Sequence, residues 1–156
     1  MEPWSPEWKF QHYAELKEIW KDCNRCGLCQ SRKKLVFGEG NLNAKLMFIG
    51  EGPGQEEDRT GIPFKGEGGK LLNALLGFVG INRADIFIDN IVICRPPDNR
   101  DPLREEKDKC SERLNEVIYL VDPLIIVAVG KVALEHLAGR SWSIEKEHGS
   151  LFSSPH

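Results

Sequence analysis

Four cysteines set the strongest constraint on this chain. Cys23-x-x-Cys26 stands before a short apolar strand, Lys45-Leu-Met-Phe-Ile49, and a glycine-rich loop, Gly50-Glu-Gly-Pro-Gly-Gln-Glu-Glu-Asp58. Cys94 and Cys110 stand after it. Soft thiolates suit iron–sulfur clusters or zinc, and four of them would close a cubane cluster or a structural zinc site. Such a centre would pin the segments that flank the loop. Spacing alone leaves iron–sulfur, zinc and no metal all open. Cys29 extends the run to Cys-x-x-Cys-x-x-Cys, so it could replace one of the four or be a spare thiol. Five cysteines is an odd count, and disulfides are rare in the cytosol, so a metal site with one spare thiol is the expectation.

The remaining composition bounds the class. The 156 residues fit a single domain, 1–156, large enough for a real core. Charged residues at 29% and hydrophobic ones at 40% are ordinary for a globular protein. A formal net charge of −3 does not advertise nucleic-acid binding, although local patches matter more than the sum. No apolar run approaches membrane-spanning length, and the start (Met1-Glu-Pro-Trp-Ser5) has no basic-then-apolar signal segment. A cytoplasmic protein with no membrane contact is expected.

Periodicity places the elements. Pro6 to Asp22 reads as a helix with Phe10, Tyr13, Leu16, Ile19 and Trp20 at helical spacing. Residues 23–36 form a cysteine-rich connector with the basic run Arg32-Lys33-Lys34. Leu46 to Ile49 is a buried strand, 50–68 a loop, and Lys70 to Val79 a helix with Leu71, Leu72, Leu75, Leu76 and Val79 inward. Asp85 to Ile93 is a second strand, and Arg95 to Pro102 a proline-broken loop. Leu103 to Val121 is a long charged helix, Leu124 to Val129 a third strand, and Lys131 to Leu137 a short helix. Strands that alternate with helices imply an α/β fold with a parallel sheet and helices on both faces. Ligands in such sheets bind beyond the carboxyl ends of the strands. The loops after 50, after 90 and after 130 should meet there, so Glu51, Phe64 and Asn90 can converge.

The loop from Gly50 to Asp58 lacks the Gly-Lys-Ser/Thr of a phosphate-binding loop and the spacing of a dinucleotide fingerprint. Taken alone it is as much a turn as a site. Glu51, at the carboxyl end of a buried strand, could position water or stabilise a cation. Glu56, Glu57 and Asp58 are expected to be solvated or helix-capping, or one of them to orient the loop. Phe64 is either a core plug or a stacking platform for a flipped base. Asn90 is either a loop tether or an amide that reads a pyrimidine edge, having both donor and acceptor. Arg95, Arg100, Arg32, Lys33 and Lys34 could touch phosphates or be plain solvated surface. His12, His136 and His148 carry no signal.

Several motifs together resemble a known family. Cys-x-x-Cys is followed by Val-Phe-Gly-Glu-Gly-Asn (36–41), Gly-Glu-Gly-Pro-Gly-x-x-Glu-Asp (50–58) and Arg-Thr-Gly-x-Pro-Phe-x-Gly (59–66). Asn-x-Val-x-Cys-Arg-Pro-Pro-x-Asn-Arg (90–100) completes the series. From about residue 20 to 145 the chain resembles the family 4 uracil-DNA glycosylases, which are iron–sulfur enzymes. The resemblance implies a three-layer α/β/α fold around a four-stranded parallel sheet. It implies a [4Fe–4S] cluster on Cys23, Cys26, Cys94 and Cys110, with structural zinc as the alternative. It implies excision of uracil from single- or double-stranded DNA by a monomer, as a step of base excision repair. By the matching motifs Glu51 would act on water or on the sugar cation, Gly52 would lend backbone contact to the base, Phe64 would stack on uracil and Asn90 would read its edge.

One departure accompanies the resemblance. Family members carry a later His-Pro-Ser motif whose histidine stabilises the uracil anion, and here Pro155-His156 reverses that order and comes too early. Three expectations stay open: a truncated form whose fold is incomplete at its carboxyl end, a missing part supplied from elsewhere, or a weakened enzyme, since losing one oxyanion-stabilising group costs about a hundredfold to a thousandfold. The alternative is a catalytically weak or inactive module that binds uracil or DNA beside replication machinery. A redox or structural iron–sulfur protein unrelated to DNA would need none of Glu51, Phe64 and Asn90.

Overall fold

The computed structural model describes residues 2–139, 141 and 143–153; Pro155-His156 lies outside them. Helix α1 (Pro6–Trp20) opens on Ser5, whose hydroxyl accepts the Trp8 N–H at 3.2 Å, with Pro6 in the first helical position. It ends two residues before the expected Asp22, where the Cys23 N–H closes a turn on the Trp20 carbonyl. Tyr13, Leu16 and Trp20 are buried as expected, but Phe10 and Ile19 are exposed. The inward stripe is Lys9, Tyr13, Leu16 and Trp20, at heptad-like spacing. Lys9 belongs to it because its ammonium donates to the carbonyls of Val121 (3.1 Å) and Leu42 (3.2 Å), so it closes the carboxyl end of a neighbouring helix.

Four strands form the sheet: β1 (Glu39–Gly40), β2 (Leu46–Gly50), β3 (Phe87–Asn90) and β4 (Ile125–Ala128), in the order β1-β3-β2-β4. β2 pairs in parallel with β3 and β4. β1, a two-residue strand that the periodicity did not mark, pairs antiparallel with β3, so three of the four strands are parallel. β3 is shorter than the expected Asp85–Ile93. Ile91, Val92 and Ile93 stay fully buried beyond its end, where the Ile91 and Val92 N–H groups donate to the Gly50 and Glu51 carbonyls and the Ile93 carbonyl accepts the Val36 N–H.

Side chains alternate across β2. Met47 and Ile49 face α1 and the long helix α4 (Arg104–Val121), packing with Trp20, Phe87, Leu114 and Val117. Phe48 faces the other way, onto Leu72 and Leu76 of α3 (Glu67–Phe78) and onto Ile86 and Ile88. These are the outer layers of an α/β/α sandwich. On α3 only Leu72 and Leu76 of the expected apolar stripe are buried; Leu71, Leu75 and Val79 are exposed. The short helix α2 (Gln55–Thr60) lies where a loop was expected, and α5 (Lys131–Ala138) and α6 (Ile144–Glu147) follow β4. α2 stops at Gly61, whose φ of +80° is the left-handed conformation that ends helices. No helix among the described residues is long and apolar enough to cross a membrane.

Candidate active site

The parallel register brings the site together. Gly50 is the last residue of β2 and sits opposite Asn90, the last residue of β3. Beyond these carboxyl ends lies a cavity of about 400 Å³, lined by Gly50, Glu51, Gly52, Phe64, Asn90 and Val129 among others. That volume suits a small ligand. The loop after β2 lines it as expected, whereas β3 contributes only its last residue, Asn90, and the segment after β4 only Val129.

Gly50 shows how tightly two of these side chains close in. A Cβ on it would lie 2.6 Å from Asn90 Oδ1 and 2.6 Å from Phe64 Cζ. The ring and the amide therefore share one cavity. Phe64 has φ +53°, an uncommon conformation for a bulky residue. Its carbonyl is passed so closely by α3 that a Cβ on Gly69 would fall 1.7 Å from it, and Arg83 Nη2 donates to the Pro63 carbonyl at 3.0 Å. Phe64 also packs against the Phe48 cluster, so plug and platform are one residue. The hydrogen bonds of Asn90 among the described residues all run through its main chain, although the residue is only 2% exposed. A buried amide with free side-chain valences beside a cavity is suited to a ligand.

Glu51 is half-buried at the cavity wall. Burial pushes its carboxyl above the ordinary carboxylate range, with Asp101 adding to the effect and Lys107 opposing it. Gly52 approaches Val92 so closely that a Cβ would lie 2.8 Å from its methyl group.

Glu57 caps α2, one of the two expected roles, and both Glu57 and Asp58 are buried rather than solvated. Glu57 accepts the N–H groups of Gly54 (3.1 Å) and Gly66 (2.7 Å), which clasps the two ends of the cavity loop. Asp58 accepts those of Lys33 (2.8 Å) and Lys34 (3.4 Å) and so ties the cysteine connector to α2. The legible signal was an acidic first turn after Gly54.

All five cysteines are free, and all five line a second cavity together with Arg32, Leu28 and Ile93. Arg32 donates to Cys94 Sγ at 3.5 Å and to the Cys23 carbonyl at 2.5 Å. Burial pushes the Cys94 thiol up to about 12, with Arg32 opposing, and also raises Cys26 and Cys110. Among the described residues no three His, Cys, Asp or Glu side chains converge closely enough to hold a metal ion.

The expected phosphate contacts are mostly occupied. Arg32 is turned to the thiols, Arg100 makes a two-pronged pair with Glu106 (2.7 and 2.8 Å), and Arg95 donates to Asn99 at 2.8 Å. Lys33 and Lys34 remain exposed. His12 and His148 bond to nearby carbonyls, His136 pairs with the Ser111 hydroxyl of α4 at 3.3 Å, and none of the three lines the cavity.

Comparison with known proteins places these features. Residues 37–156 match the family model described as the uracil DNA glycosylase superfamily. The type-4 uracil-DNA glycosylase of Thermotoga maritima is 47% identical over 136 residues, 86% of this chain and 71% of that protein. Those of Pyrobaculum aerophilum and Archaeoglobus fulgidus are 43% and 41% identical over 81% and 78% of this chain. The chain spans 66% and 61% of the length of these two relatives.

Proposed function

The chain belongs to the uracil DNA glycosylase superfamily, and from that premise we propose that it hydrolyses the N-glycosidic bond of deoxyuridine in DNA, a first step of base excision repair. The observation that carries this reading is the single cavity shared by the Phe64 ring and the Asn90 amide on either side of Gly50. An extruded uracil stacks on Phe64, which adds grip but little choice between pyrimidines. Asn90 supplies choice, since its paired donor and acceptor match one base edge and leave buried polar groups unpaired with another. Gly52 offers main chain to the base. As the bond breaks, uracil leaves as an anion and the sugar gains cationic character. Ionised Glu51 stabilises that cation or orients the attacking water. The unit is read as one domain over 1–156, acting as a cytoplasmic monomer on uracil-bearing DNA.

Cys23, Cys26, Cys94 and Cys110 are the residues that would hold a [4Fe–4S] cluster. A thiol-only donor set suits it, and so does a guanidinium aimed at one of the sulfurs. Structural zinc on the same four thiolates is the alternative. The cluster would supply cross-linking of the connector, the segment after β3 and α4, leaving the reaction to the side chains above.

The test is an oligonucleotide with one uracil, incubated with the protein and then treated with alkali. Breaks at uracil and none in a cytosine-bearing twin are expected. Tight binding without breaks would instead identify a binding module, and neither binding nor breaks would overturn the reading.

The raised Glu51 carboxyl has a consequence for pH. Its protonated form persists above the ordinary carboxylate range, so excision should fall as pH drops through that shifted value and level off above it. A profile of single-turnover rate against pH checks this. In Glu51→Gln the same acid limb should be absent, and an unchanged limb would assign it elsewhere.

A further inference from the structure

One buried ion pair has no part in the chemistry above. The side chains of Asp89 and Arg113 are wholly inaccessible, and they are bonded to each other through Arg113 Nη1 and Asp89 Oδ2. Arg113 sits on α4 three residues beyond Cys110. Its Nη2 donates to the Asn90 carbonyl at 2.6 Å and reaches the Ile91 carbonyl at 3.4 Å. The other Asp89 oxygen accepts the Asn90 N–H at 2.7 Å. Both main-chain polar groups of Asn90 therefore end on this one pair. A buried ion pair is weak evidence for stability, because well-packed apolar replacements are often as stable. These bonds supply another reason for it to be here.

We infer that Arg113, braced by Asp89, is a positioning residue that fixes the Asn90 amide relative to the helix that carries Cys110. This rests on the reading that Asn90 contacts uracil. A hydrogen-bonding amide discriminates only when it is held in place, and a displacement of about 1 Å can cost about a hundredfold in rate. Asn90 lies at the end of its strand, where the ladder runs out, and the guanidinium takes over as its anchor. Through α4 the same anchor links the aim of the reading amide to the cysteine scaffold.

The test uses the holoprotein and two variants. Asp89→Asn with Arg113→Met removes both charges at once, so no lone buried charge is left behind, and the amide oxygen introduced at position 89 can still accept the Asn90 N–H. Arg113→Lys keeps the charge but not the fork. Each is measured for iron and visible absorbance per chain, and for kcat and KM on a uracil-bearing single strand. The double variant should keep its cluster and a KM within about threefold while kcat falls about tenfold or more. Arg113→Lys should recover part of that loss. Parental kcat in a cluster-bearing double variant would overturn the inference. If the double variant does not fold, Arg113→Lys decides: parental kcat overturns, a kcat-only loss supports. If the parent binds but does not cut, the reading of an enzyme fails separately, and preference for the uracil strand over its cytosine twin is compared instead. Loss of that preference in the variants supports the anchor, and its persistence overturns it. A parent with neither cutting nor preference overturns both.

Discussion

Gly50→Ala should abolish uracil excision, by about a thousandfold or more, and leave the fold and the thiol cavity in place. The added methyl would lie 2.6 Å from both Asn90 Oδ1 and Phe64 Cζ, closer than real Cβ atoms come to anything. Both neighbours are the ends of side chains, and Gly50 does not need a left-handed backbone, so the strand can accept alanine. The clash is relieved by pushing the amide and the ring out of the cavity. That removes the discriminating contact and the stacking surface together, each of which alone would cost about a hundredfold. Gly77→Ala is the matching control. It lies on α3 with open space around it and should keep full activity. The measurement is the single-turnover excision rate beside thermal denaturation. Retained excision in Gly50→Ala would mean that the base does not sit against Gly50.

If the proposed cluster sits on Cys23, Cys26, Cys94 and Cys110, Cys110→Ala should lose the iron-derived brown colour and most of the folded protein, whereas Cys29→Ala should keep both. Cys110 is buried on α4 and is packed in the main core with Leu114 and Val117, while Cys94 is buried after β3 and Cys23 and Cys26 belong to the connector. A cluster on these four would join segments that are far apart in sequence, and its binding energy would be folding energy. Cys29 lines the same cavity but lies outside the four expected ligands. Iron per chain, broad visible absorbance and the far-ultraviolet dichroism signal check both variants. A brown, folded Cys110→Ala would displace Cys110 from the ligand set, and a colourless Cys29→Ala would bring Cys29 into it.

Much of this architecture was legible in local pattern. The apolar runs at 46–49 and 125–128 are strands because a short apolar run between turn residues has few other homes, although only the first is largely buried and Ile125 of the second is exposed. Asn90 and Phe64 could be placed near Glu51 because loops at the carboxyl ends of parallel strands converge. What pattern could not show was pairing between distant polar groups. Lys9 reads as solvated by type, yet it is buried because two carbonyls await it. Glu57 and Asp58 look like surface acids until the N–H groups of Gly54, Gly66, Lys33 and Lys34 arrive from elsewhere in the chain. Arg113 sits in a charged helix, and nothing local says that it turns inward to Asp89. Phe10 and Ile19 show the converse, since apolar type and near-helical spacing did not suffice to bury them.

The most direct measurement is a crystal structure of the holoprotein soaked with free uracil. The base should lie in the cavity beyond β2 and β3, with its ring against Phe64 and its polar edge hydrogen-bonded to the Asn90 side chain. Uracil bound elsewhere, or in this cavity with Asn90 turned away from it, would contradict the account.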